Sequence, residues 1–180
     1  MKMYNVSDRY IEYLRKQEPN VYSNKINMRK HTRKYVGGII QINQYNYFIP
    51  MSSPKNSDFK YSGEEPKIRK SIVPIIRVIV KNNLGKDELI ATLRVSHMIP
   101  VPNSEIELYN INAETDEKYK MMIQKEVLFI RKKRDKIINN AKLLYKQKCN
   151  NDKTAGYVIR ALDYKKLEKL CDEFEKWVMM

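Results

Sequence analysis

The hydrophobic pattern changes period along the chain. Residues 2–6, KMYNV, alternate apolar and polar and predict a short strand. Ser7 is placed to cap the N-terminus of a helix over DRYIEYLRK, with Asp8 in the first turn, where the helix dipole favours an acid. Residues 18–34 are polar and irregular and end in NKINMRKHTRK, which holds five cations and no acid. YVGGIIQI (35–42) is β-branched and aliphatic, NYFIPM (46–51) follows across NQY, and the two predict a hairpin. Residues 52–70 read as a polar loop carrying Pro54, Gly63 and Pro66. IIRVIVKN (75–82) and LIATLRVSHM (89–98) flank NLGKD and predict a second hairpin. The prolines of IPVPNS (99–104) should break the ladder, and EIELYNI (105–111) alternates as one more strand.

From Ala113 to about Lys148 the period becomes helical. Tyr119, Ile123, Val127, Ile130, Ile137, Ala141 and Leu144 fall at helical steps, and RKKRDK (131–136) occupies the opposite face. GYVIRAL (156–162) reads as a strand, and DYKKLEKLCDEFEKW (163–177) as a closing amphipathic helix. Strands mostly precede the long helices. The expected class is therefore α+β: a compact, twisted antiparallel sheet with added helices. A single domain is expected over 1–180, sheet-rich over 1–112 and helix-rich over 113–180.

Charge narrows the function. Lys and Arg number 35 against 21 acids, a formal net charge of +14 in 180 residues. Such a chain repels itself unless it meets a polyanion, and nucleic acid is the expected one. Cys149 and Cys171 have no metal-ligand spacing and read as free thiols. No signal peptide and no apolar run of membrane-spanning length is evident, so a cytoplasmic location is expected. There is no P-loop, no dinucleotide fingerprint, no HExxH and no paired acidic cluster for a metal-dependent nuclease. His31 and His97 are conceivable as an acid–base pair, but the stronger explanation is a strand end beside apolar residues for His97 and a basic loop for His31. The helical run Arg131, Lys132 and Lys133 is either a solvated face or a phosphate contact, and Lys25, Arg29 and Lys30 are the more suggestive cluster. Thirteen tyrosines supply both core and candidate base-stacking groups.

IPMSSPKNS (49–57) carries the most chemistry. A strand ends on Ser52 and Ser53, with Pro54 fixing one φ and Lys55 behind it. Two hydroxyls and an ammonium can all bind phosphate oxygens. A strand end capped by a serine turn is the rival explanation.

KYVGGIIQINQYNYFIPMSSPK (34–55) resembles the central motif of the ToxN/AbiQ family, the endoribonuclease toxins of type III toxin–antitoxin systems. HMIPVPNSEIELYNI (97–111), KYKMMIQKEVLFI (118–130), INNAKLLY (138–145) and KMYNVSDRYIEYLRK (2–16) are similar to its other segments. The resemblance implies metal-free RNA cleavage with no cofactor, on a core like that of the Kid/MazF toxins. It further implies inhibition by a small structured RNA cut from tandem repeats, in closed assemblies of alternating protein and RNA, and growth arrest in response to phage. By residue, it implies catalytic roles for Ser52, Ser53, Lys55 and Arg33, with Lys34 adjacent, and RNA contacts from Tyr10 and Tyr35. Arg33 stands where a lysine is usual, and Ser57 where some members have an aromatic. Two other readings remain open at this point: a non-catalytic RNA-binding module and a DNA-binding regulator, the latter without a helix-turn-helix signature.

Overall fold

The computed structural model describes residues 1–24, 31–38, 40–61, 65–152 and 154–179. Among these residues, ten strands and five α-helices follow one another in the order β1 (Lys2–Val6), α1 (Asp8–Gln17), β2 (Tyr35–Gly37), β3 (Gln41–Ile42), β4 (Tyr45–Ser52), β5 (Phe59–Tyr61), β6 (Pro66–Ile68), β7 (Ile75–Lys81), β8 (Asp87–Arg94), β9 (Ile99–Pro100), β10 (Ile106–Leu108), α2 (Glu117–Lys132), α3 (Arg134–Cys149), α4 (Gly156–Ile159) and α5 (Tyr164–Met179). The class is α+β, and the large sheet is antiparallel with its path running β10-β1-β2-β4-β8-β7.

Strand β4 organises that sheet. Along one edge it pairs first with β3 and then with β2; along the other it pairs with β9 and then with β8. A strand that changes partners on both edges joins four ladders into one sheet. Pro50 lies inside β4, where a missing N–H would normally cost a ladder bond. The Met51 N–H points to the β2 side, donating to the Lys34 carbonyl at 2.9 Å, so the nitrogen of Pro50 points to the other edge. That edge is where β9, paired to Tyr47 and Phe48, gives way to β8, paired to Met51 and Ser52. The proline occupies the one step of β4 where no N–H is needed.

Close packing fixes the neighbouring glycine. A Cβ on Gly37 would lie 2.3 Å from Phe48 Cδ1, so any side chain there would force the Phe48 ring to move. Phe48 meets Tyr4 of β1 edge-on, with ring centroids 5.3 Å apart. Helix α1 starts where Ser7 Oγ accepts the Tyr10 N–H and buries Tyr10, Ile11 and Leu14 as one stripe. Helix α5 buries Tyr164, Leu167, Cys171 and Phe174 at helical spacing against the same core. Tyr47 and Tyr145 both donate to Glu168 Oε1 of α5, at 2.9 and 2.7 Å, which satisfies that buried carboxylate.

Several local expectations change. Residues 113–148 are not one helix but α2 and α3, broken at Lys133 (φ −104°, ψ 14°). No Pro or Gly marks the break. The two stripes have different partners: α2 lies against β7 and β8, while α3 meets α4, α5 and the turn at 95–97. GYVIRAL is not a strand; it contains the short helix α4, and its buried residues Val158, Ala161 and Leu162 step by three and four rather than two. The segment 52–70 is not all loop, since β5 and β6 pair as a small separate sheet. The strand expected over 89–98 ends at Arg94, and residues 95–97 make a 3₁₀ turn. Pairing then resumes at Ile99 and Pro100 despite the two prolines.

Candidate active site

The end of β4 opens into a cleft of about 410 Å³. Its floor and walls come from Thr32–Lys34, Met51–Pro54, β8 at Ile90 and Ala91, and α2 at Tyr119 through Glu126. Arg33, buried at 5% exposure, spans the approach to β4: its Nη1 donates to the Met51 carbonyl at 2.5 Å and to Ser52 Oγ at 2.9 Å. Its Nε donates to the Ser23 carbonyl at 3.1 Å, and its guanidinium lies 4.7 Å from the Tyr22 ring centre. Because Ser52 Oγ accepts from Arg33, its own O–H remains able to donate outward. Ser53, next along, is exposed and lines the same cleft.

The turn beyond Pro54 is held from beneath. Asp58, 1% exposed, accepts the Lys55 backbone N–H at 3.0 Å and returns its own N–H to the Lys55 carbonyl at 2.8 Å. Its two carboxylate oxygens also take Arg77 of β7 at 2.9 Å and Arg94 of β8 at 3.1 Å. One buried acid thereby ties the Ser-Ser-Pro-Lys segment to two strands of the sheet. Sequence reasoning passed over Asp58. The signal was the pair of arginines inside otherwise apolar strand segments, since a buried cation needs a buried acid.

His97 registers the local field. Its ring stacks on Tyr22 with centroids 4.2 Å apart, and Ser96 Oγ lies 3.0 Å from Nδ1. Burial first, then the positive charges of Arg94, Lys55 and Arg33, push its pKa down to about 4. Those three cations therefore lie close enough to act on this one ring.

Three comparisons bear on this geometry. The family "Toxin ToxN, type III toxin-antitoxin system" matches residues 2–172. The chain belongs to the ToxN family. Among ToxN-like relatives, the endoribonuclease AbiQ of Lactococcus lactis subsp. lactis is 32% identical over 98% of this chain and 90% of its own length. The endoribonuclease ToxN of Bacillus thuringiensis subsp. kurstaki is 29% identical over 97% of this chain and 84% of its own. Two solved structures share the ToxN architecture. One, of AbiQ as a lactococcal anti-phage endoribonuclease, has a TM-score of 0.77 at 26% identity, covering 97% of this chain and 98% of that one. The other describes selective toxin inhibition by a non-coding RNA pseudoknot; its TM-score is 0.76 at 28% identity, with 97% of each chain covered.

The fold sorts the residues singled out from the ToxN resemblance. Arg33, Ser52 and Ser53 come together as described. Lys55 sits on the exposed turn, not in the cleft wall. Lys34 lines the cleft, but its ammonium is occupied by Asn5 Oδ1 at 3.0 Å, Thr32 Oγ1 at 3.2 Å and the Tyr109 ring at 4.2 Å. Burial holds it below the ordinary lysine value, against the opposing charges of Glu114 and Glu107. Tyr10 and Tyr35 are 0% and 1% exposed, so neither stands on the surface where a base could stack. Tyr10 donates to the Pro100 carbonyl at 2.8 Å and Tyr35 to Asn24 Oδ1 at 2.9 Å; both are framework. Lys25, Arg29 and Lys30 lie outside the described residues. Arg131, Lys132 and Lys133 are exposed at the end of α2, and Arg131 shares a shallow depression with Lys2 and Tyr109. The two histidines do not pair. His31 faces the cleft, stacked on Tyr119 at 3.7 Å and near Asp116 at 3.6 Å, whereas His97 opens toward a different depression.

Proposed function

We propose that the protein is the toxin of a type III toxin–antitoxin system, an endoribonuclease that cuts RNA at the end of β4. The observation that carries this reading is the Arg33–Ser52–Ser53 arrangement at the cleft, in a chain matched along nearly its whole length by endoribonuclease toxins. The substrate 2′-hydroxyl attacks the adjacent phosphorus, the 2′ proton leaves, the bond to the 5′-oxygen breaks, and that oxygen takes up a proton. The products are a 2′,3′-cyclic phosphate and a 5′-hydroxyl. Charge gathers on the non-bridging oxygens as the reaction proceeds. Ser52 and Ser53 donate hydrogen bonds to them, and Arg33 and Lys55 supply the balancing field. Arg33 cannot serve as the base, because a guanidinium keeps its protons. Lys34 fixes the cleft wall through Asn5 and Thr32 and adds charge from the side.

The partner in this reading is a small structured antitoxin RNA derived from tandem repeats, bound in a closed protein–RNA assembly. The surface patch at Lys2, Arg131 and Arg134 supports it: after burial, these three charges also hold the Met1 amino group below its usual value. Lys132 and Lys133 extend the patch. The chain acts as one domain over 1–180, in the cytoplasm where its RNA substrates are, and release of the toxin arrests growth on phage infection. The antiparallel sheet joined through β4 supports a Kid/MazF-like core. Incubation with single-stranded RNA followed by analysis of the ends tests the chemistry. Cyclic phosphate and 5′-hydroxyl ends should form with and without EDTA; intact RNA would leave only a binding module, and abolition by chelator would reject the metal-independent course.

A further inference from the structure

Glu126 is a carboxyl in the wrong company. It lies on the face of α2 that carries Tyr119, Met122 and Ile123, and it is 3% exposed. Among the described residues it has neither a hydrogen-bond nor an ion-pair partner, and burial alone pushes its pKa up to about 8. The cleft-lining residues of β8 and of its own helix are mostly apolar: Ile90, Ala91, Met122 and Ile123, with Tyr119. The titratable and charged groups sharing the cleft are engaged elsewhere. Arg33 holds Ser52 and Met51, Lys34 holds Asn5 and Thr32, and His31 stacks on Tyr119 beside Asp116. A leucine would fill this site at less cost, because a buried polar group without a partner destabilises the fold. The site makes physical sense if a ligand completes the carboxyl's hydrogen bonds.

We infer that Glu126 receives a nucleobase of the bound RNA and reads its Watson–Crick edge, selecting adenine or cytosine. This rests on the endoribonuclease reading, since RNA is what enters the cleft. The phosphate is held at Ser52 and Ser53, the apolar walls accept the flat face of a base, and the His31–Tyr119 stack gives the rim an aromatic surface. A protonated carboxyl presents a donor and an acceptor side by side. Adenine N1 with its N6 amino group, and cytosine N3 with its N4 amino group, present the complementary pair, and those ring nitrogens are the strongest neutral acceptors on any base edge. Ionised Glu126 would set a negative oxygen against the same lone pair and would instead suit the two donors of guanine. Discrimination should therefore favour adenine or cytosine at pH 6 and drift toward guanine by pH 9.

Four RNAs identical except at one nucleotide beside the cleaved bond provide the test. Wild-type protein should cut the adenine or cytosine substrate at least roughly tenfold faster than the others, the scale of one good bidentate base contact. Glu126→Gln keeps a donor and an acceptor at every pH. It should keep the preference at pH 6 and lose the drift at pH 9. Glu126→Leu should lose the preference while melting no lower than wild type. Binding of the same RNAs by the Ser53→Ala protein, read by fluorescence anisotropy, reports the preference without cleavage. Equal cutting of all four RNAs by wild type overturns the inference, and so does unchanged discrimination in Glu126→Leu. An equal loss of rate on all four RNAs in Glu126→Gln also overturns it, since that marks a proton-transfer role. Failure of wild type to cut any RNA overturns the endoribonuclease reading instead.

Discussion

At the residue scale, Ser53 separates chemistry from folding. It is exposed and lines the cleft, whereas Ser52 is buried and shared with Arg33. Ser53→Ala should lower single-turnover cleavage by about 10²- to 10³-fold, the cost of one preorganised donor. Its unfolding free energy should stay within about 0.5 kcal/mol of wild type, as for surface changes generally. Cleavage at the wild-type rate would remove Ser53 from the site. His97 makes a different prediction. Its folded pKa of about 4 lies below the ordinary value of 6.5, so the folded state resists a proton that the unfolded chain accepts. Stability from this group is complete above pH 6.5 and falls as pH drops toward 4. Urea midpoints at pH 7 and pH 5 should differ less in His97→Asn than in wild type; an identical drop in both would show that the imidazole is not responsible.

At the element scale, the Ser-Ser-Pro-Lys turn depends on Asp58. Its removal would leave Arg77 and Arg94 buried without their acid, and the Nε atoms of both already lack hydrogen-bond partners among the described residues. Asp58→Asn should cost about 3–5 kcal/mol, the scale for breaking a buried ion pair from one side. Cleavage should fall even below the melting transition, because the Asn NH2 must face either Arg77 or the Arg94 and Lys55 donors and can accept from none of them. A stable Asp58→Asn protein with full activity would refute the link between the triad and the turn. The amphipathic helices α1 and α5, the strand β1 and the hairpin β7–β8 were legible because one face of each is buried against the core, which imposes a local period. The break at Lys133 was not. Ile130 and Ile137 are seven residues apart, two turns, and share a face whether or not the helix is continuous. GYVIRAL misled because a four-residue helix is too short for its period to show against β-branched composition.

At the scale of the whole molecule, a net charge of +14 makes RNA affinity a function of salt. Plots of log affinity against log salt should be steep. Replacing Arg131, Lys132 and Lys133 together by alanine should reduce the slope by about 2 if each meets one phosphate of a single strand. An unchanged slope would make this run a solvated face only.

The sequence by itself determined the class of the fold, the polyanionic partner and the presence of two hydroxyls and a cation at Ser52, Ser53 and Lys55. Those depend on local period, total charge and functional groups, all of which are written in residue type. Only the tertiary structure decided which groups meet. It moved Tyr10 and Tyr35 into the core, engaged Lys34 with Asn5 and Thr32, and separated His31 from His97. It also placed Asp58 under the Ser-Ser-Pro-Lys turn and Glu126 in the cleft. Arg33 lies 19 residues from Ser52, Asp58 lies 36 from Arg94, and Glu126 reaches the cleft from a separate helix. Contacts at such separations come from strand pairing around β4 and from the docking of α2, and no local period encodes them.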